Sequence, residues 1–488
     1  MATALALTIC SLLAGATLVA GSATLRARLM LATLVLAPVI LIIHVADADQ
    51  LATLRDRPAL AVAAIVIGIS AVGALVILFT RKPAAFPIAV VLTLPFRIPI
   101  AVGDSAANLL LGLYLVVAAG ALAWLLPRLR RGASEEGPAP GALEWVIAAV
   151  LVLYSLQSAY GLGSAPALEN VVFFYIPFAL LFVLIARSRW TEKLAGRTLA
   201  VLVWLALALS AVGFFEFATR HIFLNPKVIA SNQFSDYFRV NSVFFDPNIF
   251  GRFLVVVIVL LVAWICWQKR NRQVALGALA VAILFGGLLI TLSQSSFVAL
   301  LAGLAVIAAL RWSLRWTVGV VVAALLVGGV AAMIGGGALS GGRTAERVTS
   351  GRAALVTGGG KLFVERPLQG WGAGSFARQY RRSNDVSFES AASASHTIPV
   401  TVAAEQGLLG LIAYLALLAL AFIRALRGAR SAPWPEMQVG VAAAFTAVVV
   451  HTLIYAAFLE DPLTWVLLGV ATALAGARDQ QPQGGERQ

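Results

Sequence analysis

Apolar residues in this chain neither alternate with polar ones nor recur at every third or fourth position. They come in long unbroken runs. A helix needs about 17–25 such residues to cross a hydrocarbon core. Runs of that length occupy 2–22, 29–45, 58–79, 84–102, 107–127, 143–160, 169–186, 196–215, 249–267, 274–292, 295–311, 317–335, 399–423, 436–458 and 462–477. The pattern predicts an all-α, polytopic transmembrane bundle of about 12–15 spans, fifteen if every run crosses. A membrane β-barrel would instead show alternation over about 10 residues per strand. The run at 84–102 holds Pro87, Pro95, Arg97 and Pro99, so a broken or re-entrant segment is expected there. The first run lacks a basic n-region and a cleavage site and reads as a retained helix.

Two polar stretches interrupt the runs, about 216–248 and 336–398. The second is entered through the flexible "GGGALSGGR". Its middle, "AALVTGGGKLFVERPLQGWGAGSF", predicts a short amphipathic helix and a glycine-rich turn. "GGGK" at 358–361 is not a phosphate-binding loop, because Leu362 follows Lys361 where Ser or Thr is needed. The organisation expected is N-terminal transmembrane helices over 1–105 and a transmembrane core over 106–335, the latter with its outer segment at 216–248. A large extracytoplasmic loop over 336–398, transmembrane helices over 399–477 and a tail over 478–488 complete it.

Composition agrees. The 488 residues are 60% hydrophobic and 12% charged, with a mean hydropathy of +0.92. A soluble domain cannot cover that much apolar surface, whereas lipid can. The net charge of +14 does not call for nucleic acid, because cytoplasmic loops collect Lys and Arg. Arg26/Arg28, Arg81/Lys82, Arg128/Arg130/Arg131, Arg187/Arg189/Lys193, Lys269/Arg270/Arg272, Arg311/Arg315 and Arg424/Arg427/Arg430 all fall on one side if there are fifteen spans. That side is the cytoplasm, which puts the N-terminus outside and the C-terminal tail inside. Cys10 and Cys266 lie far apart in apolar segments and suggest neither a disulfide framework nor a metal site.

The outer face then carries cations that the charge rule does not explain. The long outer loop holds Arg343, Arg347, Arg352, Lys361, Arg366, Arg378, Arg381 and Arg382; the earlier outer segment adds Arg220, Lys227, Arg239 and Arg252. A solvated basic loop is one reading, since long translocated loops obey the rule poorly. Arg252 fits that reading less well. It lies one turn inside the run that opens at Asn248, and Asp246 is the expected partner for it, a structural clamp. Arg239 has no such neighbour. Guanidinium forks bind phosphate bidentately, and several of them at an outer membrane face suit a lipid-linked pyrophosphate.

His396 stands where the basic loop re-enters the membrane, in "SASHTIPVTVAAEQGLLG". A neutral imidazole there can take a proton from an acceptor hydroxyl near pH 7. Metal binding is not expected, because no second His or Cys sits at ligand spacing in the loop. Glu405, nine residues on, and Glu460 and Asp461 at the last outer turn are carboxylates able to orient His396 or pair with the arginines. His44, His221 and His451 read as structural. "TLSQSS" at 291–296 reads as a tight connection or a helix cap.

Four elements together resemble the O-antigen ligase and Wzy-type polymerase superfamily. They are Arg239 followed by "FFDPNIFGR"; "TLSQSS" at an outer helix end; "GRAALVTGGGKLFVERPLQGWGAGSF" at 351–376; and "SHTIPVTVAAEQGLLGL" at 395–411. They occur in the family's order over about 239–411. The resemblance implies a GT-C-type membrane glycosyltransferase of the bacterial inner membrane that uses no metal or other cofactor. Its donor would be a glycan on undecaprenyl pyrophosphate and its acceptor a hydroxyl of a glycan, a lipid or a protein, with membrane lipids around it. It implies that Arg239 and Arg352 bind the pyrophosphate and that His396 activates the acceptor. Arg252, Asp246, Asn248, Gln294, Glu405 and Asp461 join them as candidate substrate-binding residues. Two departures stand out. Many members have Ser-Arg where this chain has Ser293-Gln294, and many have about twelve spans, so the N-terminal helices within 1–105 are read as an addition. A ligase, a polymerase, a protein O-oligosaccharyltransferase and a transporter of lipid-linked sugars remain open.

Overall fold

A computed structural model of the chain describes residues 2–45, 56–102, 105–131, 139–160, 164–233, 237–313, 315, 317–319, 352–384 and 397–479. The helices of the first half are α1 (Ala2–Val19), α2 (Ala23–Val45), α3 (Pro58–Arg81), α4 (Ala85–Thr93), α5 (Leu111–Arg131), α6 (Ala142–Gln157) and α7 (Ser164–Glu169). A π turn over Asn170–Tyr175 leads into α8 (Ile176–Ala186), followed by α9 (Glu192–Thr219) and the short α10 (Pro226–Gln233). Then come α11 (Pro247–Ile265), α12 (Asn271–Thr291) and α13 (Gln294–Arg311). The long polar loop contributes α14 (Arg352–Glu365) and α15 (Phe376–Asn384), and α16 (Ile398–Leu426), α17 (Pro435–Thr452) and α18 (Pro462–Asp479) close the chain. Among the described residues nine helices are long and apolar enough to cross a membrane. The predicted run at 317–335 lies largely outside the described residues.

The expected break at 84–102 is present. α4 ends after nine residues and gives way to an antiparallel hairpin, β1 (Ile98–Val102) paired with β2 (Ser105–Leu109). Proline cannot donate a backbone hydrogen bond and clashes with the preceding turn, so Pro95 and Pro99, only four residues apart, strongly disfavour continuing the helix. The segment still traverses the bundle: Phe86 packs on Gly120 and Thr93 on Gly112, so α4 runs antiparallel to α5.

α11 is the central helix, buried without interruption from Phe250 to Val259 and packed by α12, α13 and α17. Small residues let the backbones approach, as membrane helices require. Gly251 makes room for Ser296, Gly303 for Val259 and the Ala443 carbonyl, and Gly440 for Ala263. Local capping sets the start of α11: Asp246 accepts from the Asn248 N–H at 2.6 Å, and Pro247 occupies the first helical position.

The basic loops gather at one end of the bundle. The charges of Arg128, Arg187 and Glu144 reach Arg26, and Arg424 pairs with Glu144 at 3.6 Å. Arg311 donates to the Cys266 carbonyl and Arg430 to the carbonyls of Ala309 and Leu310. The polar segment 216–248 and the turn between α17 and α18 meet at the other end.

Candidate active site

Arg252 and Asp461 form an ion pair of 2.7 Å in which the side chains are 1% and 3% exposed. The sequence suggested Asp246 as the partner; the structure corrects this. Asp246 turns to cap its own helix, while Arg252, one turn inside α11, faces the α17–α18 turn. There Nη1 also donates to the Ala457 carbonyl at 2.6 Å, Nη2 to the Ala456 carbonyl at 2.8 Å, and Nε to His451 Nδ1 at 3.1 Å. Four of the five guanidinium N–H groups are thus taken by the protein.

This bond also fixes the imidazole. An arginine Nε always carries its hydrogen, so His451 Nδ1 is the acceptor and Nε2 bears the ring proton. Nε2 lies 3.1 Å from Ser295 Oγ and 3.2 Å from Ser296 Oγ. The cluster resembles a serine–histidine–carboxylate arrangement in composition only: an Nε2 that holds a proton cannot take one from serine. Ser293 Oγ, in contact with Ser295 and Ser296, completes the buried knot. "TLSQSS" is a tight connection, as read, but Ser293 makes no side-chain capping bond.

Arg239 is held differently. Its backbone is clasped by Asn232, which accepts from the Arg239 N–H at 3.1 Å and donates to its carbonyl at 2.9 Å. Its Nε donates to the Thr291 carbonyl at 2.9 Å and one Nη2 hydrogen to Asn248 Oδ1 at 3.0 Å. Among the described residues, three N–H groups of this half-buried guanidinium are left over. The loop that carries it is shaped by Glu216, fully buried at the end of α9, whose carboxylate accepts from the N–H groups of Asn241, Ser242 and Phe223. Sequence reasoning missed Glu216, although a carboxylate at the very end of an apolar run is a signal.

Arg97, at the broken end of the α4 segment, comes to the same place. The charges of Asp461 and Arg252, with Tyr114 and Tyr455, act on it, and its buried Nε has no hydrogen-bond partner. The Tyr455 hydroxyl lies within hydrogen-bonding reach of Asp246 and Asn248, and its ring lies 5.9 Å from the Arg252 guanidinium carbon. Tyr455 and Asn248 thereby link the surroundings of Arg97, Arg239 and Arg252. The only sign of Arg97 in the sequence was a cation among prolines, and nothing there pointed to Tyr455.

The carboxylates stand as follows. Asp461 holds Arg252 and accepts from the Leu463 N–H at 3.0 Å. Glu460 Oε1 accepts from the Tyr175 hydroxyl at 2.9 Å, and burial raises its carboxyl above the ordinary range. Glu405 accepts from the N–H groups of Gly374 at 2.8 Å and Phe376 at 2.9 Å, so both oxygens serve the glycine-rich turn. That turn, Gly370–Gly374, docks on a break in α16 at Gly407 (φ 63°, ψ −160°), a conformation open to glycine alone. Gln157 of α6 donates to the Gln406 carbonyl at 3.1 Å and accepts from the Ala373 N–H. "GGGK" forms part of α14, where Gly358 gives way to the Tyr380 ring.

Gln294 is exposed at the first position of α13. Arg352 opens α14, but its side chain, like the whole of His396, lies outside the described residues. Among the described residues no three His, Cys, Asp or Glu side chains gather as a metal site needs.

No curated protein matches the chain. Residues 279–415 match the family model described as O-Antigen ligase. Three of the four resembling motifs fall inside that stretch, and the Arg239 motif lies just before it. This match, over residues 279–415, supports the resemblance to the O-antigen ligase and Wzy-type superfamily.

Proposed function

We propose that the chain is a metal-independent, inverting glycosyltransferase. It moves a glycan from undecaprenyl pyrophosphate to an acceptor hydroxyl at the periplasmic or extracellular face of a bacterial inner membrane. The observation that carries this reading is Arg239, a guanidinium with three N–H groups uncommitted among the described residues, at the end of the bundle away from the basic loops. Arg97 beside the same cluster adds a second donor.

The acceptor oxygen forms a bond to the anomeric carbon while the bond from that carbon to the diphosphate oxygen breaks. The electron pair leaves with the diphosphate, and the acceptor proton passes to His396. Arg239, Arg97 and Arg352 offset the charge that develops on the leaving group. Because the leaving group is already activated, neither a nucleotide nor a metal is required, and one displacement inverts the anomeric centre. Asn248 orients Arg239. Arg252, committed to Asp461 and His451, positions the turn around Tyr455 rather than touching phosphate. Glu405 shapes the glycine-rich turn, Asp246 caps α11, and Gln294 is available to the donor.

In a strain lacking its own copy of this gene, Arg239→Ala should abolish transfer of surface glycan while the protein accumulates normally in the membrane. Full-length, attached glycan from that variant would overturn the reading. A transporter of lipid-linked sugars is the second reading, because arginines also line a cavity at the opposite end. His396→Ala separates the two: a transporter would still yield normal polymer and attachment.

A further inference from the structure

A groove of about 110 Å³ runs between α2, α5 and the π turn that leads into α8. α2 packs on both α5 and the π turn. Local sequence keeps the groove open. Ala37 and Ala118 are short, Pro38 interrupts the hydrogen bonds of α2, and a π turn is wider than an α turn. Tyr114 of α5 pins that turn by donating its hydroxyl to the Phe173 carbonyl at 2.6 Å.

The lining decides what kind of guest fits. Its two polar side chains are already engaged, Tyr114 with Phe173 and Thr33 with the Leu29 carbonyl at 2.9 Å. Among the described residues every other side chain in the lining is apolar. A sugar or a phosphate would lose its hydration there with nothing in exchange, whereas a hydrocarbon chain would gain by burial.

Position decides which hydrocarbon. Leu41 stands about 20 Å along α2 from Arg26, and Tyr114 about 20 Å along α5 from Arg128. The groove therefore lies toward the end of the bundle away from the basic loops, where Arg239 stands. Tyr114 is close enough to Arg97 for the two to interact electrostatically. A molecule with its diphosphate beside Arg97 thus has the groove next to it. The groove is narrow and takes one chain, whereas a glycerophospholipid carries two on one head. We propose, on the reading of the donor given above, that this groove holds the isoprenoid chain of the lipid-linked glycan. The N-terminal helix α2 then takes part in substrate binding.

The test is photolabelling of the purified full chain with a polyprenyl diphosphate that carries a diazirine in the isoprenoid units next to its head. Labelled peptides are located by mass spectrometry. Label should fall within 33–41, 114–118 and 172–180. Unlabelled polyprenyl diphosphate should remove it, and the same concentration of phosphatidylglycerol should not. Ala118→Phe should lower this labelling about tenfold, the worth of roughly two buried methylene groups. If that variant fails to fold, Ala37→Phe from the facing wall should give a loss in the same direction. Saturable label confined to other segments, unchanged labelling in the variant that folds, or equal displacement by phosphatidylglycerol would overturn the groove and leave the donor reading standing. Absence of saturable labelling anywhere on the chain would overturn both.

Discussion

Arg252 Nη1 meets Asp461 Oδ2 at 2.7 Å across 209 residues of chain, and both side chains are shut away from solvent. Removing one member strands a buried charge, which costs about 3–5 kcal/mol, whereas replacing both by apolar residues of similar volume can be nearly neutral. Arg252→Met and Asp461→Leu should each lower the unfolding midpoint in detergent sharply. The double variant should recover most of the loss. A double variant as unstable as the sum of the single ones would show that the pair does not act as a unit.

Arg239 should behave in the opposite way. Among the described residues its side chain makes two bonds, so Arg239→Lys should leave the unfolding free energy within about 1 kcal/mol of wild type. Lysine keeps the charge but lacks the bidentate fork, so the rate of glycan transfer should fall about 10- to 100-fold. Arg97→Gln should give a rate loss of the same order, with a larger effect on kcat than on KM if the charge is met mainly in the transition state. A change confined to protein level would refute both.

The bundle was legible in the sequence because hydrocarbon enforces it: a run of apolar residues has no soluble alternative, and three prolines in one run announce a break. The site was legible only in part. Arg239 and Asn248 share one short motif, and the structure places them together. Asp246 was preferred to Asp461 as the partner of Arg252 because sequence shows local neighbours, while the true partner arrives from the last turn of the bundle. His451 looked like a lone residue in an apolar run, and its environment comes from α11 and α13. Arg97 could not be placed before its break was known to end at Asp461 and Tyr455. Contacts of this kind depend on which helices pack together, and that is not written in any local pattern.

His451 accepts from Arg252 at one ring nitrogen and donates toward serine at the other. Glutamine offers the same pair of roles, an amide oxygen and an amide N–H. His451→Gln should therefore hold stability within about 1 kcal/mol, whereas His451→Leu should cost about 1–3 kcal/mol by leaving buried donors unmet. The pH profile of glycan transfer should be unchanged in His451→Gln. A shifted profile would mean that this imidazole exchanges protons during turnover.

Gly407 adopts a backbone conformation closed to other residues, and a side chain there would run into the Leu368 carbonyl and the Gly370 N–H. Gly407→Ala should cost about 1–3 kcal/mol and detach the glycine-rich turn from α16. Limited proteolysis should then cleave between 366 and 376 faster than in wild type, and unchanged cleavage would separate the turn from the break.

Glu460 supplies a pH dependence whose sign can be worked out. Burial holds its carboxyl above the ordinary carboxylate range, and the Tyr175 hydroxyl and the Arg252 charge reverse part of that shift. The native state thus keeps a proton that the unfolded chain releases near an ordinary value of about 4.3. Its contribution to stability is fully present below that value and is lost as pH rises through the higher native one. The unfolding midpoint of the wild type should fall across this window. In Glu460→Gln the amide oxygen can still accept from Tyr175 and nothing titrates, so the difference between the two proteins should grow with pH in favour of the variant and then level off. A difference that stays flat would mean that Glu460 is already ionised in the native protein, with Arg252 outweighing its burial.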